Sequence, residues 1–126
     1  MKPQEIFNTV INHLYTQKKK SIENKQCLYH GPKNTKCAVG CLIPDELYLP
    51  EFDTTNSASV LGITMHYPKN VPSYFKDNLR LLGDLQRLHD NSDVLECNTF
   101  DFISLSLRIT ELSDIFNLKI PKIVKQ

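Results

Sequence analysis

Three stretches of this chain place apolar residues at helical spacing, and prolines fence off the ground between the first two. Ile6, Phe7, Val10, Ile11, Leu14 and Tyr15 recur in the pairs that build one helical face. A second stripe runs through Phe75, Leu79, Leu82, Leu85 and Leu88, and a third through Phe102, Leu105, Ile109, Leu112 and Phe116. Pro32, Pro44, Pro50, Pro68 and Pro72 lie between the first two stripes, and an interior proline breaks a helix by removing a donor and clashing with the preceding turn. The spacing predicts long helices from Pro3 to Lys20, from a Ser73 cap to Asp90, and from an Asn98 or Thr99 cap to Asn117. A short helix through Val60, Leu61 and Ile63 would take Ser57 or Ser59 as its cap. Cys27-Leu28-Tyr29 and Cys37-Ala38-Val39 flank a run of turn formers, which reads as a small β-hairpin near residues 27–39. The expected fold is therefore α+β, mainly α. It is a single small domain, 1–126, with about three long helices, short helices and that hairpin.

Composition removes several classes of function. Fifteen Lys and Arg against fourteen Asp and Glu leave +1, too balanced for bulk polyanion binding, so a DNA or RNA role ranks last. No apolar run approaches a membrane span, and no apolar leader follows Met1. The expected compartment is the cytoplasm, where Cys27, Cys37, Cys41 and Cys97 stay reduced. The near-neutral total hides a strong asymmetry. Residues 1–36 hold seven Lys and two Glu, whereas 37–66 hold Asp45, Glu46, Glu51 and Asp53 with no Lys or Arg. Such a division can steer a polar ligand or partner, or let two solvated surfaces attract each other.

Chemistry has three candidate seats. On the helix from Ser73, His89 falls inside the arc of leucines, where an imidazole needs partners for both nitrogens. It is either a core histidine bonded to a carbonyl or a cleft histidine oriented by a carboxylate. Cys37 is a candidate nucleophile, with His89 as its base and Asp90 or Asp45 orienting that base. Cys27, His30, Cys37 and Cys41 form C-x2-H-x6-C-x3-C, four ligand types that zinc accepts at a spacing that is not one of its usual pairs. Tyr29, His30, Tyr48, His66, Tyr67 and Tyr74 crowd the middle loops, where aromatics can stack on a ring or roof a small core. Gly40 allows close backbone approach. No Gly-rich phosphate loop, paired-carboxylate motif or H-E-x-x-H is present.

The run Lys36-Cys37-Ala38-Val39-Gly40-Cys41-Leu42-Ile43-Pro44-Asp45-Glu46-Leu47-Tyr48 and the run Leu85-Gln86-Arg87-Leu88-His89-Asp90 resemble a family of small, uncharacterised phage and bacterial proteins. Pro3-Gln4-Glu5-Ile6-Phe7, His13-Leu14 and Cys27-Leu28-Tyr29 belong to the same resemblance, which covers about half of the chain. It implies a phage or bacterial cytosolic setting and groups the central run with the His89 region. It also implies that a small residue such as alanine often stands at Cys41, which counts against four-ligand zinc. It carries no activity or cofactor.

The expected function is a non-enzymatic, phage-encoded accessory protein. It would bind a small polar ligand such as a nucleotide signal, or a host protein, and so modulate a host process such as defence. Tyr29, His30, Gly40, Asp45 and Tyr48 would form the binding residues. The alternatives are a cysteine hydrolase or transferase using Cys37, His89 and Asp90, and a zinc-stabilised interaction module using Cys27, His30, Cys37 and Cys41. A homodimer could bury the apolar tail Leu118, Ile120, Ile123 and Val124.

Overall fold

The computed structural model describes residues 1–17, 22–23, 26–53, 59–90 and 102–121, with backbone alone at 22–23, 26–27, 32, 89–90 and 102–104. Four α-helices are described: α1 (Pro3–Gln17), α2 (Val60–His66), α3 (Leu79–Asp90) and α4 (Phe102–Phe116). The first stripe is the centre of the domain. Ile6, Phe7, Val10, Ile11 and Leu14 of α1 have no solvent exposure, and they meet Leu82 and Leu85 of α3 with Leu105 and Ile109 of α4 in one core. Burying each of these apolar side chains contributes about 1.5–3 kcal/mol, so the helical period of the stripes determines most of the packing. Among the described residues no helix is long and apolar enough to cross a membrane.

Local chemistry sets the helix ends. Ser59 caps α2 by accepting the Gly62 N–H at 3.0 Å. Asn117 terminates α4 with a φ of 53°. The Leu118 N–H then reaches the Ser113 carbonyl at 2.9 Å, and the Asn117 N–H reaches Asp114, as in a left-handed C-terminal cap. The predicted helix from Ser73 is interrupted. Ser73–Phe75 form a 3₁₀ turn, and α3 begins only at Leu79. Asn78 makes the break by donating its amide to the Tyr74 carbonyl at 2.8 Å, while its own carbonyl accepts the Leu82 N–H. The start of the last helix at Asn98 or Thr99, and the continuation of α1 to Lys20, lie outside the described residues.

The α+β expectation is overturned: the domain is mainly helical, and no hairpin spans residues 27–39. Among the described residues, pairing consists of a two-residue ladder, β1 (Ile22–Glu23) against β2 (Gln26–Cys27), and a single bridge between His30 and Lys36, and no sheet layer results. The physical reason lies in residues 37–43. Cys37, Ala38, Val39 and Gly40 are all buried in succession, which an alternating, half-exposed strand cannot do. The backbone instead coils, with the Cys41 N–H on the Cys37 carbonyl at 3.1 Å and the Ile43 N–H on Gly40 at 3.1 Å. Upstream, Lys33 and Asn34 take positive φ of 56° and 60°, closing a tight loop instead of a two-residue hairpin turn.

Candidate functional site

The central run coils against α1 and α3, and glutamine side chains fasten it there. Gln17 of α1 donates to the Lys36 carbonyl at 2.9 Å and accepts the Lys36 N–H at 2.8 Å. Its amide thus takes the place of a neighbouring strand. His13, one turn earlier, brings its Nε2 to the same carbonyl at 2.8 Å. Gln86 of α3 accepts the Val39 N–H at 3.0 Å. Gln86 thereby fastens the segment to α3.

Gly40 makes the close approach that its sequence position suggested, and what approaches is the chain itself. A Cβ built there would stand 1.9 Å from the Tyr29 carbonyl oxygen. Every other residue type is therefore excluded sterically. The Gly40 N–H points at the Cys37 sulfur, 3.2 Å away, and its carbonyl accepts from His30 Nε2 at 3.0 Å.

His30 ties the loop together. Its Nε2 also lies 3.1 Å from the Ile43 carbonyl. Two carbonyls can only accept, so Nε2 carries a proton that they share. Nδ1 faces Asp45 at 3.4 Å, and the same carboxylate oxygen lies 3.1 Å from Lys36 Nζ. The imidazole stacks flat on Tyr48, with centroids 4.2 Å apart and planes 10° from parallel. The Tyr48 hydroxyl donates to Asp53, whose other oxygen accepts the Tyr29 N–H at 2.7 Å. Burial, then that hydrogen bond and the Asp53 charge, push the Tyr48 phenol above its ordinary range. Beneath them Phe52, fully buried, takes ring contacts from Tyr29 at 6.2 Å, Tyr48 at 5.9 Å and Tyr67 at 5.4 Å. The loop aromatics roof a small core.

The structure thus brings together all five expected binding residues. Tyr29 and Gly40 meet through backbone, and His30, Asp45 and Tyr48 through side chains. They bind one another. The candidate nucleophile Cys37 is fully buried beneath them, while the side chains of His89 and Asp90 lie outside the described residues. Of the zinc set, the Cys27 side chain lies outside them as well. His30 is engaged as above, and the Cys41 thiol donates to the Ala38 carbonyl at 3.1 Å. Among the described residues, no three His, Cys, Asp or Glu side chains gather where they could hold a metal ion. Burial raises the Cys41 thiol from 9.0 to about 12, despite the opposing pull of Lys36, so it is protonated and inert at neutral pH.

His13, Gln17, Asp53 and Gln86 were not among the sequence candidates. A signal for two of them existed. With Ile6 at zero on α1, Gln17 falls at about 20°, inside the apolar arc that Val10 continues at about 40°, and His13 falls about 20° outside its edge. The displacement that drew attention to His89 also marked this pair. Asp53 had no comparable signal, because its loop has no period.

No family model matches the chain, and no curated protein or solved structure matches it significantly.

Proposed function

We propose that this chain is a non-enzymatic accessory protein that acts by binding a host protein. The observation that carries the reading is the direction in which the polar groups of residues 28–53 are used. The imidazole of His30 and the carboxyl of Asp53 bond to backbone inside the segment. Glu46 and Glu51 lie on its exposed outer side, beside the exposed Asp45 carboxylate that Lys36 already meets. A buried network of this kind gives a rigid support, and the support displays an acidic rim.

An acidic rim fits a basic partner. Host proteins with strongly basic surfaces are typically those that handle nucleic acid, so a component of defence or transcription in a bacterial host's cytoplasm is the target class. The phage setting implied by the central run agrees with such a role. A small polar ligand is less well served, because the groups that would hold it already hold each other.

Capture from bacterial lysate tests the proposal, comparing the natural chain with Glu46→Lys/Glu51→Lys. The expected result is one basic prey, released by raised salt and lost with the double reversal. Equal capture by both proteins would reject the rim. A nucleotide-induced rise in melting temperature would transfer the role to a small ligand, and rapid alkylation of Cys37 at neutral pH would revive the enzyme reading.

A further inference from the structure

Of the apolar tail, Leu118 and Ile120 fall among the described residues, and Ile120 is 45% exposed. Leu118 packs on its own core, and Gln4 of α1 grips the Lys119 backbone through bonds of 2.7 and 2.8 Å. Ile123 and Val124 lie outside the described residues. A different surface, between α3 and α4, carries a more specific pattern.

The two helices run antiparallel. Arg80, early in α3, lies over the ring of Phe116 at the end of α4, 5.8 Å from its centroid. Further along, the pair opens into a shallow groove of about 230 Å³ with Leu88 and Leu112 in its lining. Asp84 and Arg87 border it from α3, and Arg108 and Glu111 border it from α4. Each pair is three residues apart, a rise of about 4.5 Å. Because the helices are antiparallel, Asp84 and Glu111 fall at one end and Arg87 and Arg108 at the other. The groove is neutral in sum and polar along its length. Exposed apolar residues extend the pattern on α4, with Leu107 63% exposed just beyond the basic end and Ile115 59% exposed at the acidic end.

We infer that this face is a two-fold interface between copies of the chain. A two-fold axis across the groove reverses its direction. Each acidic end then meets a basic end, and each Leu107 meets the partner's Ile115. Isologous association needs this self-complementarity. Within one chain Arg87 already pairs with Asp84, Arg87 being 65% and Asp84 18% exposed, and Arg108 is engaged as well; an exposed guanidinium exchanges one carboxylate for another at little cost. Apolar contact between Leu107 and Ile115 supplies the desolvated flanks, and the charges set the direction.

Light scattering on the full chain across a concentration series tests the interface. The natural protein is expected at twice the 14.5 kDa of one chain. Arg87→Glu/Arg108→Glu and Asp84→Lys/Glu111→Lys should each run as monomers, and an equimolar mixture of the two should recover the dimer mass. Leu107→Lys, at an exposed position, should also be monomeric. Circular dichroism of each variant checks that its helices are intact, and if a double reversal fails to fold, Leu107→Lys decides alone. A monomeric natural protein, a dimer indifferent to these changes, or a mixture of folded variants that stays monomeric would overturn the inference.

Discussion

The domain contains two glycines whose surroundings are opposite, and they summarise its two halves. Around Gly40 the segment from 28 to 53 has little regular structure and no spare room: a methyl group would collide with the Tyr29 carbonyl. Around Gly83, in the middle of α3, an added Cβ meets nothing within 4 Å. One region is held by specific polar bonds between distant residues. The other is held by repetitive apolar packing and keeps tolerant outer faces. The same core supports both, and the contrast separates what is fixed for shape from what is open for contact.

Substitutions can break or sharpen that contrast. Gly40→Ala should have the largest effect, a loss of about 3 kcal/mol or outright misfolding, measured by urea unfolding. Asp53→Ala should cost about 2–3 kcal/mol, because it leaves the buried Tyr29 N–H and the Tyr48 hydroxyl without their acceptor. Gln17→Ala should cost about 1–2 kcal/mol, and combining it with His13→Ala should cost more than the two separate losses, since only the double change leaves the Lys36 carbonyl without either side chain. Gly83→Ala should be the mildest and of opposite sign, stabilising by about 0.5–1 kcal/mol through helix propensity. If Gly83→Ala proved as damaging as Gly40→Ala, the division into tight and tolerant halves would fail.

Alkaline pH offers a separate probe of the tight half. Folding raises the Cys41 thiol from 9.0 to about 12, so the native state holds its proton where the unfolded chain releases it. Stability from this group is complete below about pH 9 and declines as pH rises toward 12. Urea midpoints taken across that window should fall, and Cys41→Ala should flatten the fall.

The tolerant half was the legible one. Leucines at helical spacing on α3 record a single buried face, and Leu81, Leu82, Leu85 and Leu88 are buried as that spacing requires. The tight half was misread as a hairpin because Cys37-Ala38-Val39 is a short apolar run beside turn formers, a pattern common to strands and to coiled loops. What distinguishes them is the loss of alternation from Cys37 to Gly40, and that depends on α1 and α3 covering both sides. Among the site residues, Tyr29, His30, Gly40, Asp45 and Tyr48 were identified as a group from local oddity. Their mutual bonding was not legible, since Asp53, which joins Tyr29 to Tyr48, enters it from a loop without a period.

The Gln4–Lys119 grip has a consequence for how the chain is made. Its partners are 115 residues apart, so during synthesis α1 emerges first and the Gln4 amide, which also meets Asn8 one turn on at 2.9 Å, reaches Lys119 only after almost everything else. The Lys36 grip at the other end of α1 can close as soon as the central run appears, because only 19 residues separate it from Gln17. One helix is therefore anchored twice on very different schedules. The early anchor lets α1 and the central run form a seed on the ribosome, and the late one secures the N-terminal turn of α1 only after α4 has docked. Ribosome-stalled chains that end before Lys119 should accordingly protect the amides of Lys36 and Val39 from exchange while the first turn of α1 still opens freely.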